Sequence, residues 1–162
     1  MVLITMSTVL RVLFASIVVV SIQPPVSRVR NTSSDMNALQ VNIQSINTSK
    51  RLLQAVVEQR SIDVVLLQEV WCPKEEVKLH NFLQPILKLR KDNQYGGVGI
   101  LVQKNAKVVH CKEYESSNLE AVWADVQLGN ERILFGSVYI NVGALAEINH
   151  LDVILERIIP GC

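Results

Sequence analysis

The sequence predicts an α/β protein in which strands and helices alternate within one layered domain. Three observations predict it. The run Val64-Val65-Leu66-Leu67 is apolar without a break, as in a strand buried on both faces, and it comes after a strand and an amphipathic helix. Leu119–Leu128 and Ile133–Ile140 flank the hairpin signal Gly129-Asn130-Glu131. Ala144–Ile159 carries Leu145, Ile148, Leu151, Leu155 and Ile158 at helical spacing, closed by Pro160-Gly161.

The first segment differs in kind from the rest of the chain. Val12–Ile22 (VLFASIVVVSI) is apolar or small throughout. It is shorter than the roughly 20 residues of a membrane span, and its length suits the core of a signal peptide. Met1–Leu10 lacks the basic start such a peptide has. Gln23-Pro24-Pro25 stops any helix, and Val26–Asn37 is polar and reads as linker. A signal or anchor segment, an ordinary apolar helix and a spurious leader all remain open for residues 1–37, and localisation stays open with them.

From residue 38 to 162 the chain reads as one domain. Leu39–Ile43 alternates apolar and polar residues, the period of a half-buried strand. Asn47-Thr48-Ser49 offers helix N-cap groups, and Leu52, Leu53, Val56 and Val57 fall on one face of a helix of about three turns. Ser61-Ile62-Asp63 ends it, and Val64–Leu67 completes a β-α-β unit. Phe82–Arg90 contains Pro85 and reads as an extended edge segment. Asp92-Asn93-Gln94 and Gly96-Gly97 mark a turn before the strand Val98–Val102, and Lys107–Tyr114 is a weaker strand. In Leu119–Leu128 the residues Val122, Ala124, Val126 and Leu128 share one face, with Trp123 on the other. These strands suffice for one mixed sheet with helices on one face. The other face is then apolar and uncovered, a surface for self-association.

A chain of 162 residues has room for one ordinary domain, and an apolar fraction of 49% can build its core. The net charge of +1 excludes nucleic-acid binding driven by bulk electrostatics, so any such function must rest on specific residues. Cys72, Cys111 and Cys162 form no C-x-x-C pair, and His80, His110 and His150 complete no zinc spacing. The sequons at Asn31 and Asn47 are too short to argue secretion.

Three residues stand where layered α/β proteins gather their chemistry, at the carboxyl ends of strands. Asn42 ends the first strand of the domain, Glu69 comes after Gln68 at the end of the buried strand, and Tyr139 lies near the end of Ile133–Ile140. A carboxylate at Glu69 could hold a hard divalent cation, and a solvated loop residue is the plain alternative. The Tyr139 hydroxyl could donate to a phosphate oxygen, or the ring could be ordinary strand packing. Trp71 and Trp123 could stack on bases, with core or edge packing the default for both. Glu113, Glu115 and Glu120 read as a solvated acidic loop, and Gly96-Gly97 as a turn requirement.

Four strings recur in one order: Val41-Asn42-Ile43-Gln44-Ser45-Ile46-Asn47, Ile62 through Glu69, Tyr95 through Val102, and Gly136-Ser137-Val138-Tyr139-Ile140. Together they resemble the endonuclease domain of LINE-type (non-LTR) retrotransposons, a branch of the endonuclease/exonuclease/phosphatase superfamily. The resemblance runs from about Ala38 to Pro160. It implies a DNase I-like four-layer α/β/β/α sandwich, of which this chain supplies about half. It further implies that Asn42 orients active-site groups, Glu69 binds Mg²⁺ or Mn²⁺, and Tyr139 contacts the scissile phosphate of DNA. No small-molecule cofactor is implied. Gln44 and Asn141-Val142 depart from the family pattern. The family's Gly-Asp-Phe-Asn and Ser-Asp-His segments, which supply the water-activating Asp and the phosphate-contacting His, do not occur here. The expectation is therefore a truncated half-site with little or no nuclease activity of its own.

Overall fold

The computed structural model describes residues 2–6, 18–21, 36–72, 79–83, 85–90, 95–115, 119–129 and 131–140. The expected helix Ala144–Ile159, most of the linker after Pro25 and the turn Asp92-Asn93-Gln94 lie outside the described residues. Nine strands and one helix occur in chain order among those described: β1 Val2–Met6, β2 Val18–Ser21, β3 Asn37–Asn42, α1 Ile46–Arg60, β4 Val64–Gln68, β5 Ile86–Lys88, β6 Val98–Val102, β7 Lys107–Glu115, β8 Leu119–Leu128 and β9 Glu131–Ile140. Among the described residues no helix is long and apolar enough to cross a membrane.

The strands divide between two sheets. One has five strands in the order β1-β3-β4-β6-β5, and the other has four in the order β2-β9-β8-β7. In the first, β1, β3 and β4 run parallel while β6 and β5 run antiparallel to their neighbours. The second is antiparallel throughout. This corrects the expectation of one sheet with a bare apolar face. Ala38, Val64, Leu66 and Ile100 of the first sheet share a buried cluster with Val122, Ala124, Val126 and Phe135 of the second. Period-two alternation reports that a face is buried, and the partner here is a second sheet, packed as in a sandwich. The α/β class holds, and among the described residues the layers run α1, first sheet, second sheet.

The other face of the first sheet carries α1. Ile46, Leu53 and Val57 pack there with Leu39, Val65, Leu67 and Leu101. All five residues of β4 are buried, as an unbroken apolar run between helix and second sheet requires. Two details of α1 differ from expectation. The helix begins at Ile46, ahead of Asn47-Thr48-Ser49, with Ser45 at the cap position, φ 88°, and no side-chain cap bond. Leu52 is 68% exposed, so the buried stripe is narrower than its apolar content suggested. At the other end Ser61 is left-handed, with its N–H donating to Glu58 O (3.4 Å) and the Ile62 N–H to Val57 O (3.1 Å). That is the Schellman closure, made here by serine in place of glycine.

The segment read as an apolar leader contributes a strand to each sheet. Val2–Met6 pairs in parallel with β3, and Val18–Ser21 pairs antiparallel with β9 across a register shift. A short β-branched run is compatible with helix or strand by composition alone, and an available sheet edge favours the strand. In β8 both faces are buried from Ala121 to Ala124. Trp123 lies on the face away from the first sheet, opposite Gly136. A Cβ on Gly136 would stand 2.2 Å from the indole, so only glycine admits the ring there.

Candidate active site

Because β3 and β4 are parallel neighbours, their carboxyl ends leave the sheet on one side. The register pairs Asn42 with Gln68, the residue before Glu69. The pairing continues past both strands: Ile43 N–H donates to Gln68 O (3.0 Å), Ser45 N–H to Glu69 O (3.0 Å) and Ile46 N–H to Val70 O (2.9 Å). On the opposite flank the Val70 N–H reaches Gly97 O (3.2 Å) and the Trp71 N–H reaches Gly96 O (3.0 Å). Held from both sides, Glu69 adopts a left-handed backbone with φ 52°, and the residue is 9% exposed. A non-glycine residue in that region carries strain of about 1–2 kcal/mol. The surrounding ladder imposes it.

The second sheet brings Tyr139 to this carboxylate. Ser137 Oγ donates to Leu67 O (2.7 Å) and accepts from Gln68 Nε2 (3.3 Å), a buried tie between β9 and β4. Two residues on, and therefore on the same strand face, the Tyr139 hydroxyl donates to Glu69 Oε1 (3.4 Å). Arg90 lies over the Tyr139 ring, 5.9 Å from its centroid, and is ion-paired with Glu120. Glu120 Oε2 also accepts the Gly97 N–H (2.6 Å). A Cβ on Gly96 would come within 2.7 Å of the Arg90 guanidinium carbon, and Gly96 has φ +99°. Gly96 thus serves the packing of Arg90 as well as the turn.

Burial raises the Tyr139 phenol above its ordinary value, the Glu69 carboxylate adds to the rise, Arg90 opposes it, and Glu120 adds again. The phenol therefore stays protonated, and a donor, through neutral pH. Asn42 reaches the same rim through the register, but its amide oxygen accepts the Gln44 N–H (3.3 Å) and no hydrogen bond joins it to Glu69. The structure thus joins Glu69 to Tyr139 directly and sets Asn42 beside them.

Arg90 and Glu120 escaped the sequence reading. Glu120, expected in a solvated acidic loop, belongs to β8 and pairs with Arg90. Its place opposite Tyr139 in the β8–β9 register was the signal that could have found it. Trp71 is half-buried at the rim, whereas Trp123 is core.

A hard divalent cation takes about six oxygen ligands. Among the described residues no three His, Cys, Asp or Glu side chains converge on one point. Glu120 has both carboxylate oxygens engaged, by Arg90 and by Gly97. Glu69 therefore fits as a single ligand, and the described residues do not make up a whole metal centre.

The model of the Endonuclease/Exonuclease/phosphatase family matches residues 39–158. No curated protein matches this chain in sequence. Among solved structures, D. rerio TDP2 complexed with single-strand DNA product superposes with a TM-score of 0.60 at 17% identity, covering 80% of this chain and 57% of that one. D. rerio TDP2 humanized by 14 mutations superposes with a TM-score of 0.59 at 16% identity, covering 80% of this chain and 58% of that one. The chain thus spans a little over half the length of these structures and shares their fold.

Proposed function

Because this chain belongs to the endonuclease/exonuclease/phosphatase family, whose members are nuclease- and phosphodiesterase-type hydrolases that generally use divalent metals, we propose that it carries the amino-terminal half-site of a LINE-type retrotransposon DNA endonuclease. The observation that carries the reading is the Tyr139 hydroxyl on Glu69 Oε1 at 3.4 Å, a donor and a carboxylate delivered from two sheets to one rim. The nuclease-like domain runs from about residue 38, and the preceding residues 1–37 lend an edge strand to each of its sheets. DNA is the substrate. The D. rerio TDP2 structure with single-strand DNA product supports a nucleic-acid ligand for this fold.

In this reading Glu69 is one ligand of Mg²⁺ or Mn²⁺, which when bound supplies Lewis-acid polarisation of the phosphoryl oxygen. Tyr139 holds its proton and, with substrate bound, turns it from Glu69 to a non-bridging phosphate oxygen. Asn42 orients neighbouring groups from the end of β3. Arg90 and Glu120 keep the Tyr139 ring in place. The sequence lacks the Gly-Asp-Phe-Asn and Ser-Asp-His segments that would carry the water-activating group, so the 162-residue chain alone has little or no nicking activity. The test is nicking of supercoiled plasmid with Mg²⁺ by purified protein and by Glu69→Ala. Background nicking identical in both is expected. Nicking that disappears in Glu69→Ala would show a competent site and overturn the inactivity. An in-frame Gly-Asp-Phe-Asn with reverse-transcriptase sequence downstream in the genome supports the retrotransposon assignment, and its absence counts against it.

A second reading, a non-catalytic scaffold that keeps the sandwich, is favoured by the two sheets covering each other's apolar faces. A cooperative thermal transition with no Mn²⁺ binding would favour it over the half-site.

A further inference from the structure

We propose that Trp71 and Tyr95 form a stacking platform for an unpaired nucleobase beside Glu69, so that the site grips DNA through a base as well as through phosphate. The proposal deepens the nuclease reading and rests on it.

Trp71 lies two residues beyond Glu69, so their Cα atoms are at most about 7 Å apart. Its position is fixed: φ is 43°, and its N–H donates to Gly96 O (3.0 Å), next to Tyr95. The two rings meet edge to face, with centroids 5.2 Å apart and planes at 86°. In such a pair the ring that offers its edge keeps both faces unused by that contact. Tyr95 is 54% exposed and Trp71 half-buried, so this aromatic surface reaches solvent. A bulky residue held left-handed at a half-exposed position gains less from burial than a core residue would, and such strain gathers at binding sites. Net charge points the same way. At +1 the chain attracts phosphate weakly, and base stacking, which any π-face accepts, supplies grip that charge does not.

The experiment compares two fluorescein-labelled probes of equal length, an oligothymidylate and an abasic tetrahydrofuran oligonucleotide, by anisotropy with the full chain. The expected result is roughly tenfold tighter binding of the oligothymidylate. Trp71→Ala removes that preference while leaving the abasic affinity unchanged, and Trp71→Phe retains it. Unlabelled oligothymidylate also quenches wild-type indole emission through Trp71, since Trp123 is only 1% exposed. That measurement needs no variant, and it decides the matter should Trp71→Ala fail to fold. Equal affinity for both probes, or a preference that survives in a folded Trp71→Ala, overturns the platform while leaving the nuclease reading in place. Absence of binding to either probe overturns both.

Discussion

The Tyr139 hydroxyl donates to Glu69 across 3.4 Å, and burial together with that carboxylate holds the phenolic proton more tightly than water does. Below the ordinary phenol value of 10.0 the proton is bound in folded and unfolded chains alike. As pH rises through that value the unfolded chain releases its proton first, so stability present below it is lost as pH climbs towards the raised folded value. The chain should therefore weaken in alkali, and Tyr139→Phe should flatten the fall. Urea midpoints on either side of pH 10.0 measure this, and an unchanged slope in the variant would sink it. Ser137 is a second case of a residue set by its surroundings. Its hydroxyl is fully buried and serves Leu67 O and Gln68 Nε2 at once. Ser137→Ala should destabilise by about 1–3 kcal/mol, because a buried amide donor is left without its acceptor. Chemical denaturation gives the value directly.

At the scale of elements, α1 separates apolar residues that matter from one that does not. Leu53 is 5% exposed against the sheet, while Leu52 is 68% exposed. Leu53→Ala should cost about 2–5 kcal/mol and Leu52→Lys less than about 0.5 kcal/mol, read from denaturant midpoints at constant m value. Legibility in the sequence obeys the same logic. Val64–Leu67 announced β4 because an unbroken apolar run needs cover on both faces, and the Gly129 turn announced the β8–β9 hairpin through local chemistry. The two-sheet arrangement was not legible. Alternation in Leu119–Leu128 says that one face is buried, not what it is buried against. Nor did Val2–Met6 and Val18–Ser21 read as strands, since pairing with β3 and β9 is decided by distant residues. In the site, Glu69 and Tyr139 could be picked out by their places at strand ends. The Arg90–Glu120 pair spans 30 residues of sequence, and only the hairpin register that sets Glu120 opposite Tyr139 hints at it.

For the whole molecule the ends of the sheets are as telling as their faces. β1 covers the outer side of β3, and β2 covers the outer side of β9. All four edge strands are blunted: β1, β2 and β5 have only five, four and three residues, and β7 carries a register shift and a charged sequence. Removing residues 1–21 would pass the edge from the five-residue β1 to the six-residue β3 and from the four-residue β2 to the ten-residue β9, a much longer unpaired ladder. The shortened chain should self-associate as concentration rises, whereas the full chain should not, and sedimentation velocity distinguishes them. A monomeric shortened chain would show that β1 and β2 are dispensable as edge cover.

The left-handed backbone at Glu69 sets local comfort against the presence of the carboxylate. Asparagine or glycine would sit at φ 52° with less strain, so a library screened only for heat resistance should drift towards them at this position. Such a population would become sturdier while discarding the group that marks the rim. Retention of glutamate in the face of that drift is what selection for a ligand, rather than for folding, would leave behind.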